Sequence, residues 1–201
     1  MPRKSTNIRE VTKKRETKET NISVKLCLDG SGICKSDTGI GFFDHMLDGF
    51  ARHGLFDLEI SCTGDLLVDG HHTVEDCGIV LGEAIKDAIS DKSGIARYGS
   101  MILPMDDALV LTAIDLSGRP YFSYDADFPT ERIGYLDTEL VKEFFRSLAF
   151  SAMMNLHIKV ISGENSHHIC EAMFKSFAKS LDMATSYDSR IDGILSTKGS
   201  L

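Results

Sequence analysis

No apolar run in this 201-residue chain approaches the roughly 20 residues that a membrane-spanning helix needs, so no segment is expected to cross a bilayer. The opening stretch MPRKSTNIREVTKKRETKET is basic and polar with no apolar centre, which argues against a secretory signal and makes a cytoplasmic protein the expectation. Cysteine is sparse and odd in number. Cys27, Cys34, Cys62, Cys77 and Cys170 form no CxxC and sit mostly in apolar or alternating stretches, so reduced, partly buried thiols are expected rather than a disulfide frame or a zinc ribbon. An excess of positive charge is missing too: the formal net charge of -8 argues against a nucleic-acid partner, since phosphate backbones demand basic surface. What basic charge there is gathers in residues 1–18, where seven Lys and Arg stand against Glu10 and Glu16. Residues 1–8 are expected to form a flexible, solvated arm. GIGFF and DGSG are glycine turns without the strand and helix context of a nucleotide fingerprint, there is no Walker sequence, and no serine or cysteine lies in a recognisable nucleophile setting.

What is present is enough apolar material, 42% of residues, to bury a real core. Asn21–Leu28 alternates like a strand and ends in the turn DGSG; FFDHMLDGFARHG has helical spacing closed by Gly54; LFDLEISCTG alternates again; HHTVEDCGIVLGEAIKDAIS reads as a long amphipathic helix. After the break KSGIARYGS come the strands MILPMDDALVLTAIDLSG and YFSYDAD, the helix TELVKEFFRSLAFSAM, the strand NLHIKVISG and the helix SHHICEAMFKSFAKSLDMA. Strand, helix, strand, helix thus occurs twice. The economical reading is an internal duplication joined near residues 92–99, with halves 9–93 and 94–201. The expected fold class is α/β, two duplicated halves forming a single compact unit.

Four of the seven histidines fall in two adjacent pairs, GHHTVED at Gly70–Asp76 and SHHICEA at Ser166–Ala172. Residues four apart on a helix share a face, whereas neighbours point about 100° apart. His71 with Glu75, and His167 with Glu171, can therefore each chelate one ion, while His72 and His168 look elsewhere. Two adjacent histidines then imply two metals more readily than one. Superposing the halves on these pairs sets His45 against Glu143, 26 and 24 residues before His71 and His167 respectively. The natural closure about a pseudo-twofold axis is an exchange, in which His72 joins the ion of His167 and Glu171, His168 joins that of His71 and Glu75, and His45 and Glu143 complete the two sets. Such nitrogen-rich sites suit manganese, iron or zinc rather than magnesium or calcium. His157 in NLHIK reads as a strand residue, and His53 in ARHGLF as a candidate to touch substrate.

At these residues the chain resembles the imidazoleglycerol-phosphate dehydratases of histidine biosynthesis, through RETKET, LDGSG, GFFDHMLDGFARHGLFDL, GDLLVDGHHTVEDCGIVLGEA, GENSHHICEAMFKSFAKSL and STKG. The resemblance runs from about Arg9 to the end. It implies two halves that are each a four-stranded sheet backed by two helices, and a homo-oligomer of 24 subunits built from trimers, with dimanganese sites at subunit interfaces. It also implies His45, His72, His167 and Glu171 as ligands of one ion, and His71, Glu75, Glu143 and His168 as ligands of the other.

The reaction that the resemblance implies removes water from a small phosphorylated imidazole, imidazole glycerol phosphate, giving imidazole acetol phosphate after an enol tautomerises. The proton lost sits on a carbon with no carbonyl beside it. Binding the ring between two cations lowers its pKa and lets an imidazolate expel the hydroxyl. A carboxylate must then move the carbon-bound proton, with Glu171, Glu19 and Glu75 as candidates. The phosphate calls for fixed positive charge, and Arg97, Arg119, Lys175, Thr197 and Lys198 match the family's substrate positions, as does Glu19 in RETKET. The histidines His45, His53, His71, His72 and His167 would also line the substrate. Two rivals of other classes use the same pairs: a metal-dependent hydrolase, and a non-catalytic shell in which the ions only join subunits. The latter has no use for Glu19 and the cations together.

Overall fold

The structure, a computed structural model, describes residues 8–199, so the expected arm of residues 1–8 lies, apart from Ile8, outside the described residues. The first half runs β1 (Glu10–Glu16), β2 (Thr20–Cys27), β3 (Cys34–Asp37), α1 (Gly41–Gly54), β4 (Asp57–Gly64) and α2 (His71–Ile89). The second runs β5 (Tyr98–Met105), β6 (Ala108–Asp115), β7 (Tyr121–Asp125), the small strands β8 (Arg132–Ile133) and β9 (Leu136–Asp137), then α3 (Glu139–Ser151), β10 (Asn155–Ser162) and α4 (Ser166–Thr185). The sheets have the same order, β1-β2-β4-β3 and β5-β6-β10-β7. In each, the last pair is parallel and bridged by a crossover helix, α1 or α3, while the other pairs are antiparallel. Two four-stranded sheets, each with two helices, are what the family resemblance implies.

Periodicity predicts no strand before Asn21 and none at Cys34–Asp37, yet β1 and β3 form there. Both are edge strands, hydrogen-bonded on one side only, and need little apolar sequence to hold their place. Gly54 is expected to close α1, but the left-handed residue is Leu55, with φ 58°. Gly54 is required for a different reason: a Cβ there would lie 2.2 Å from the ring of Phe56.

Packing joins the halves crosswise, α1 against α4 and α2 against α3. The second seam is tight because Gly78 and Gly82 let the backbones meet; a Cβ at these positions would sit 2.7 Å from the Phe144 carbonyl oxygen and 2.5 Å from that of Leu148. Between the sheets, Phe43, Phe144 and Phe174 pack from three helices with ring centroids 5.2–6.5 Å apart. Ile22, Val24 and Leu26 of β2, with Leu156 and Ile158 of β10, close the core from either side, each side chain contributing about 1.5–3 kcal/mol by its burial. All five cysteines are free thiols, and burial pushes the Cys170 thiol far above its ordinary value. No helix among the described residues is long and apolar enough to cross a membrane.

Candidate metal centre and phosphate cleft

Both histidine pairs sit in the first turn of a helix because a side chain just upstream accepts their amides. Asp69 Oδ1 takes the His71 amide at 2.7 Å; Asn165 Oδ1 takes those of His167 at 2.9 Å and His168 at 3.4 Å. Helical spacing then does what the sequence predicts. His71 Nε2 lies 3.8 Å from Glu75 Oε2, and His167 Nε2 lies 3.3 Å from Glu171 Oε2. The adjacent rings turn away, at 86° between His71 and His72 and 80° between His167 and His168.

The crossed helices add the third member of each set. Where α1 meets α4, His45 comes beside His167, ring centroids 6.0 Å apart, and ligand atoms of His45, His167 and Glu171 all lie within 4.8 Å of one another. Phe42 braces the group, its ring 5.0 Å from His167 and 6.3 Å from His45. Where α2 meets α3, the Ser147 hydroxyl lies 3.0 Å from the Glu75 carbonyl oxygen and 2.8 Å from that of Glu143, so the two residues stand side by side. This set stays open. Glu143 Oε2 turns to Arg146 Nη1 at 3.7 Å, and among the described residues only His45, His167 and Glu171 bring three such ligand atoms together.

His72 and His168 join neither set within one chain. His72 Nδ1 lies 3.0 and 3.2 Å from the Asp65 oxygens, and its Nε2 is 3.8 Å from Glu19. His168 Nδ1 lies 2.5 Å from Asp107, and its Nε2 is 3.4 Å from Asp106. These hydrogen bonds raise both imidazoles above their ordinary pKa and hold Asp107 well below the usual carboxylate range. Glu19 reaches His72 because Asp76, on α2, takes Arg15 Nε at 3.1 Å and the Thr20 hydroxyl at 2.5 Å, fastening RETKET to the helix. No spacing rule singles out Asp65, Asp76, Asp106 or Asp107: Asp65 meets His72 from a loop seven residues upstream, and the partners of the others lie more than fifty residues away.

Burial pushes the Glu171 carboxyl up, but the hydrogen bond and charge of Lys175, with His45 and His167, outweigh it and leave the group below its ordinary value. Lys175 Nζ sits 2.7 Å from Glu171 Oε1. Burial, then the charges of Lys175 and Lys179, lower His53 at the end of α1. His157 is a strand residue of β10, as expected, with its ring 5.4 Å from Tyr121.

The remaining candidates split. Arg97, Arg119, Thr197 and Lys198 line one cleft of about 770 Å³, together with Arg190, which no motif in the sequence marks; Lys175 does not line it. Arg97 has φ 68°, an uncommon conformation for a side chain of this size. Its Nε and Nη2 are spent on Asp115 at 2.7 and 3.1 Å, and its Nη1 donates to the Leu195 carbonyl oxygen at 2.8 Å, so it ties the C-terminal segment to the junction of the halves. Backbone bonds from Gly94 to Gly193 and from Asp188 to Gly94 extend the same tie. A second cleft, of about 660 Å³, opens beside His167 and His168 and is lined by Arg132 and Gly134 of the β8–β9 hairpin.

Comparison with known proteins bears on the family and the fold. The family model for imidazoleglycerol-phosphate dehydratase matches residues 38–181. An imidazoleglycerol-phosphate dehydratase of Lachnoclostridium phytofermentans is 63% identical over 187 residues, 93% of this chain and 95% of the relative, and one of Acetivibrio thermocellus is 58% identical over 93% and 96%. Among solved structures, the Staphylococcus aureus imidazoleglycerol-phosphate dehydratase superposes with a TM-score of 0.79 at 40% identity, covering 89% of this chain and 99% of that one. The Pyrococcus furiosus structure gives 0.81 at 40% identity, covering 94% and 100%. With the doubled fold, the paired histidine helices and these similarities in agreement, the chain belongs to the imidazoleglycerol-phosphate dehydratase family of histidine biosynthesis.

Proposed function

We propose that this dehydratase works with two manganese ions held between copies of the chain, assembled as a 24-subunit shell of trimers. The observation that carries the reading is the convergence of His45, His167 and Glu171 within 4.8 Å. Two imidazole nitrogens and an ionised carboxylate fit a borderline transition cation better than magnesium or calcium, and manganese is the ion that family membership suggests. His71, Glu75 and Glu143 would hold the second. Such cations, when bound, supply Lewis-acid polarisation of the substrate ring.

The protein's own groups supply the rest. Glu171, kept ionised by Lys175, takes the proton from the middle carbon of the glycerol chain while the hydroxyl on the carbon next to the ring departs. Proton and hydroxide leave as one water, and the remaining enol tautomerises to the ketone. Glu19, 3.8 Å from His72, assists the departing oxygen, and Glu75 is the other carboxylate within the set. Arg119, Lys198 and Thr197 bind the phosphate, with Arg97 holding the segment that carries the last two. Assembly is supported by two facts: His72 and His168 lack their expected co-ligands within one chain, and the phosphate cleft includes none of the paired histidines. Exposed Leu67 and Tyr135 add apolar surface for such contacts.

The test is to strip the protein with chelator and titrate manganese while following dehydration and particle size. Turnover and a large particle arising together near two ions per chain support the proposal; assembly without turnover overturns it.

A further inference from the structure

Two carboxylates near the centre have no role in the chemistry so far. Asp65, in the loop between β4 and α2, meets Nδ1 of His72 at 3.0 and 3.2 Å; Asp107, in the turn between β5 and β6, meets Nδ1 of His168 at 2.5 Å. The duplication does not relate these two positions. The counterpart of the β5–β6 turn is the β1–β2 turn, which carries Glu19, and the counterpart of the β4–α2 loop is the segment at Gly163 and Glu164. The same contact, carboxylate to Nδ1 of the second histidine, is therefore built twice from unrelated places. Asp107 is rigidly placed, since its other oxygen accepts the amides of Glu164 at 2.5 Å and Asn165 at 2.9 Å.

A carboxylate accepts a proton but offers none, so the imidazole nitrogen facing it carries the hydrogen. The other nitrogen is then the lone-pair donor. We infer that Asp65 and Asp107 are positioning residues that fix His72 and His168 as Nδ1–H tautomers, so that Nε2 of each is the ligating atom. The inference rests on the two-ion reading for its consequence, though the tautomer itself can be read without any metal. Nε2 of each ring is also the nitrogen turned toward the hairpin carboxylates Glu19 and Asp106, at 3.8 and 3.4 Å. One orienting contact thus points a ligand and sets which acidic side chain lies beside it.

The experiment uses full-length protein in two measurements. Nitrogen-15 NMR of histidine-labelled, metal-free protein, taken at a pH high enough that the His72 ring is neutral, reads which ring nitrogen bears hydrogen; the expected result is an Nδ1–H His72 that loses this preference in Asp65→Ala and keeps it in Asp65→Asn, whose amide oxygen still accepts. Manganese uptake by chelator competition should weaken about 10–100-fold in Asp65→Ala, as for lost partners of ligating histidines elsewhere, with Asp125→Ala as an unchanged control. Asp107→Asn is the companion variant, chosen over Ala so that an acceptor remains for the Glu164 and Asn165 amides. A His72 tautomer that is Nε2–H in the wild type, or unaltered in Asp65→Ala, overturns the inference. Wild-type uptake of two ions with unchanged affinity in Asp65→Ala overturns it while sparing the two-ion reading; a wild type that takes up no manganese overturns both.

Discussion

In one seam of the molecule α4 borrows a histidine from α1 and closes a ligand trio; in the other, α2 borrows a glutamate from α3 and leaves it open. Sheet topology cannot explain this, since the two sheets share one strand order and each seam pairs a helix of one half with a helix of the other. The borrowed side chain does. His45 has a stiff ring with Phe42 against it, whereas Glu143 has three rotatable bonds and finds Arg146 one turn away. Leu140 occupies, three residues before Glu143, the place that Phe42 holds before His45. Duplication copies a scaffold; whether a site is preformed is decided by the few side chains that differ.

The largest contrast should come from chemistry at the two seams. Glu171→Gln is expected to lower turnover about 10²–10⁴-fold, the range for a lost general base, while Glu143→Gln costs less because His71 and Glu75 remain; kcat/KM for dehydration measures both. Equal losses would mean that the open trio matters to turnover no less than the closed one. The cleft proposed to take the phosphate is lined by the second half alone, by the segment after α4 together with Arg97, Tyr98 and Arg119. Arg119→Ala should raise KM about 10–100-fold with kcat less changed, the loss of one charge-assisted hydrogen bond. Next come the helices themselves. Gly82→Ala drives a methyl into the α2–α3 seam and should destabilise by about 1–3 kcal/mol, whereas Gly49→Ala on α1 meets open space and should stabilise by up to about 1 kcal/mol; urea midpoints decide.

The smallest effect concerns acid. Asp57, first in β4, holds the β2–β3 loop by accepting the Ser31 and Ile33 amides at 2.8 and 3.0 Å; Asn155, first in β10, holds the β6–β7 loop by donating to the Arg119 carbonyl oxygen at 2.6 Å. Burial pushes the Asp57 carboxyl up, and the hydrogen bonds from Ile33, Ser31 and Gly32 bring it below its ordinary value. Its contribution is therefore complete above the unfolded value of about 3.9 and fades as pH falls through the lower folded value. Urea midpoints near pH 5 and pH 3 should differ more for the wild type than for Asp57→Asn. A neutral anchor in one half and an ionisable one in the other makes the acid response one-sided.

How much of this could be read beforehand follows the range of each interaction. His71 with Glu75 and His167 with Glu171 are local, four residues apart, and helical geometry foretold them. That His45 and Glu143 are matched candidates came from nearly equal separations, a property of the duplication, whereas their assignment to opposite helices came from the family resemblance. Asp107 was invisible because it meets its histidine from 61 residues away, and Asp65 because its contact depends on the path of an irregular loop that no helical or strand period describes. Arg97 does share a cleft with Arg119, Thr197 and Lys198, yet its bond to Asp115 and the tail depends on a strained backbone angle that no pattern announces. The edge strands β1 and β3 escaped since their polar sequences follow from being bonded on one side.

The crossed helices also set an order in time. During synthesis the first half emerges with His45, His71, His72 and Glu75 already made, but neither ligand trio has all its members: one waits for Glu143, the other for His167 and Glu171. At about 5–20 residues per second the ribosome leaves several seconds in which the first half's histidines exist without their partners from the second half. Under the two-ion proposal, splitting each site across the duplication leaves both ligand trios incomplete until Glu143 has been made, and one of them until Glu171.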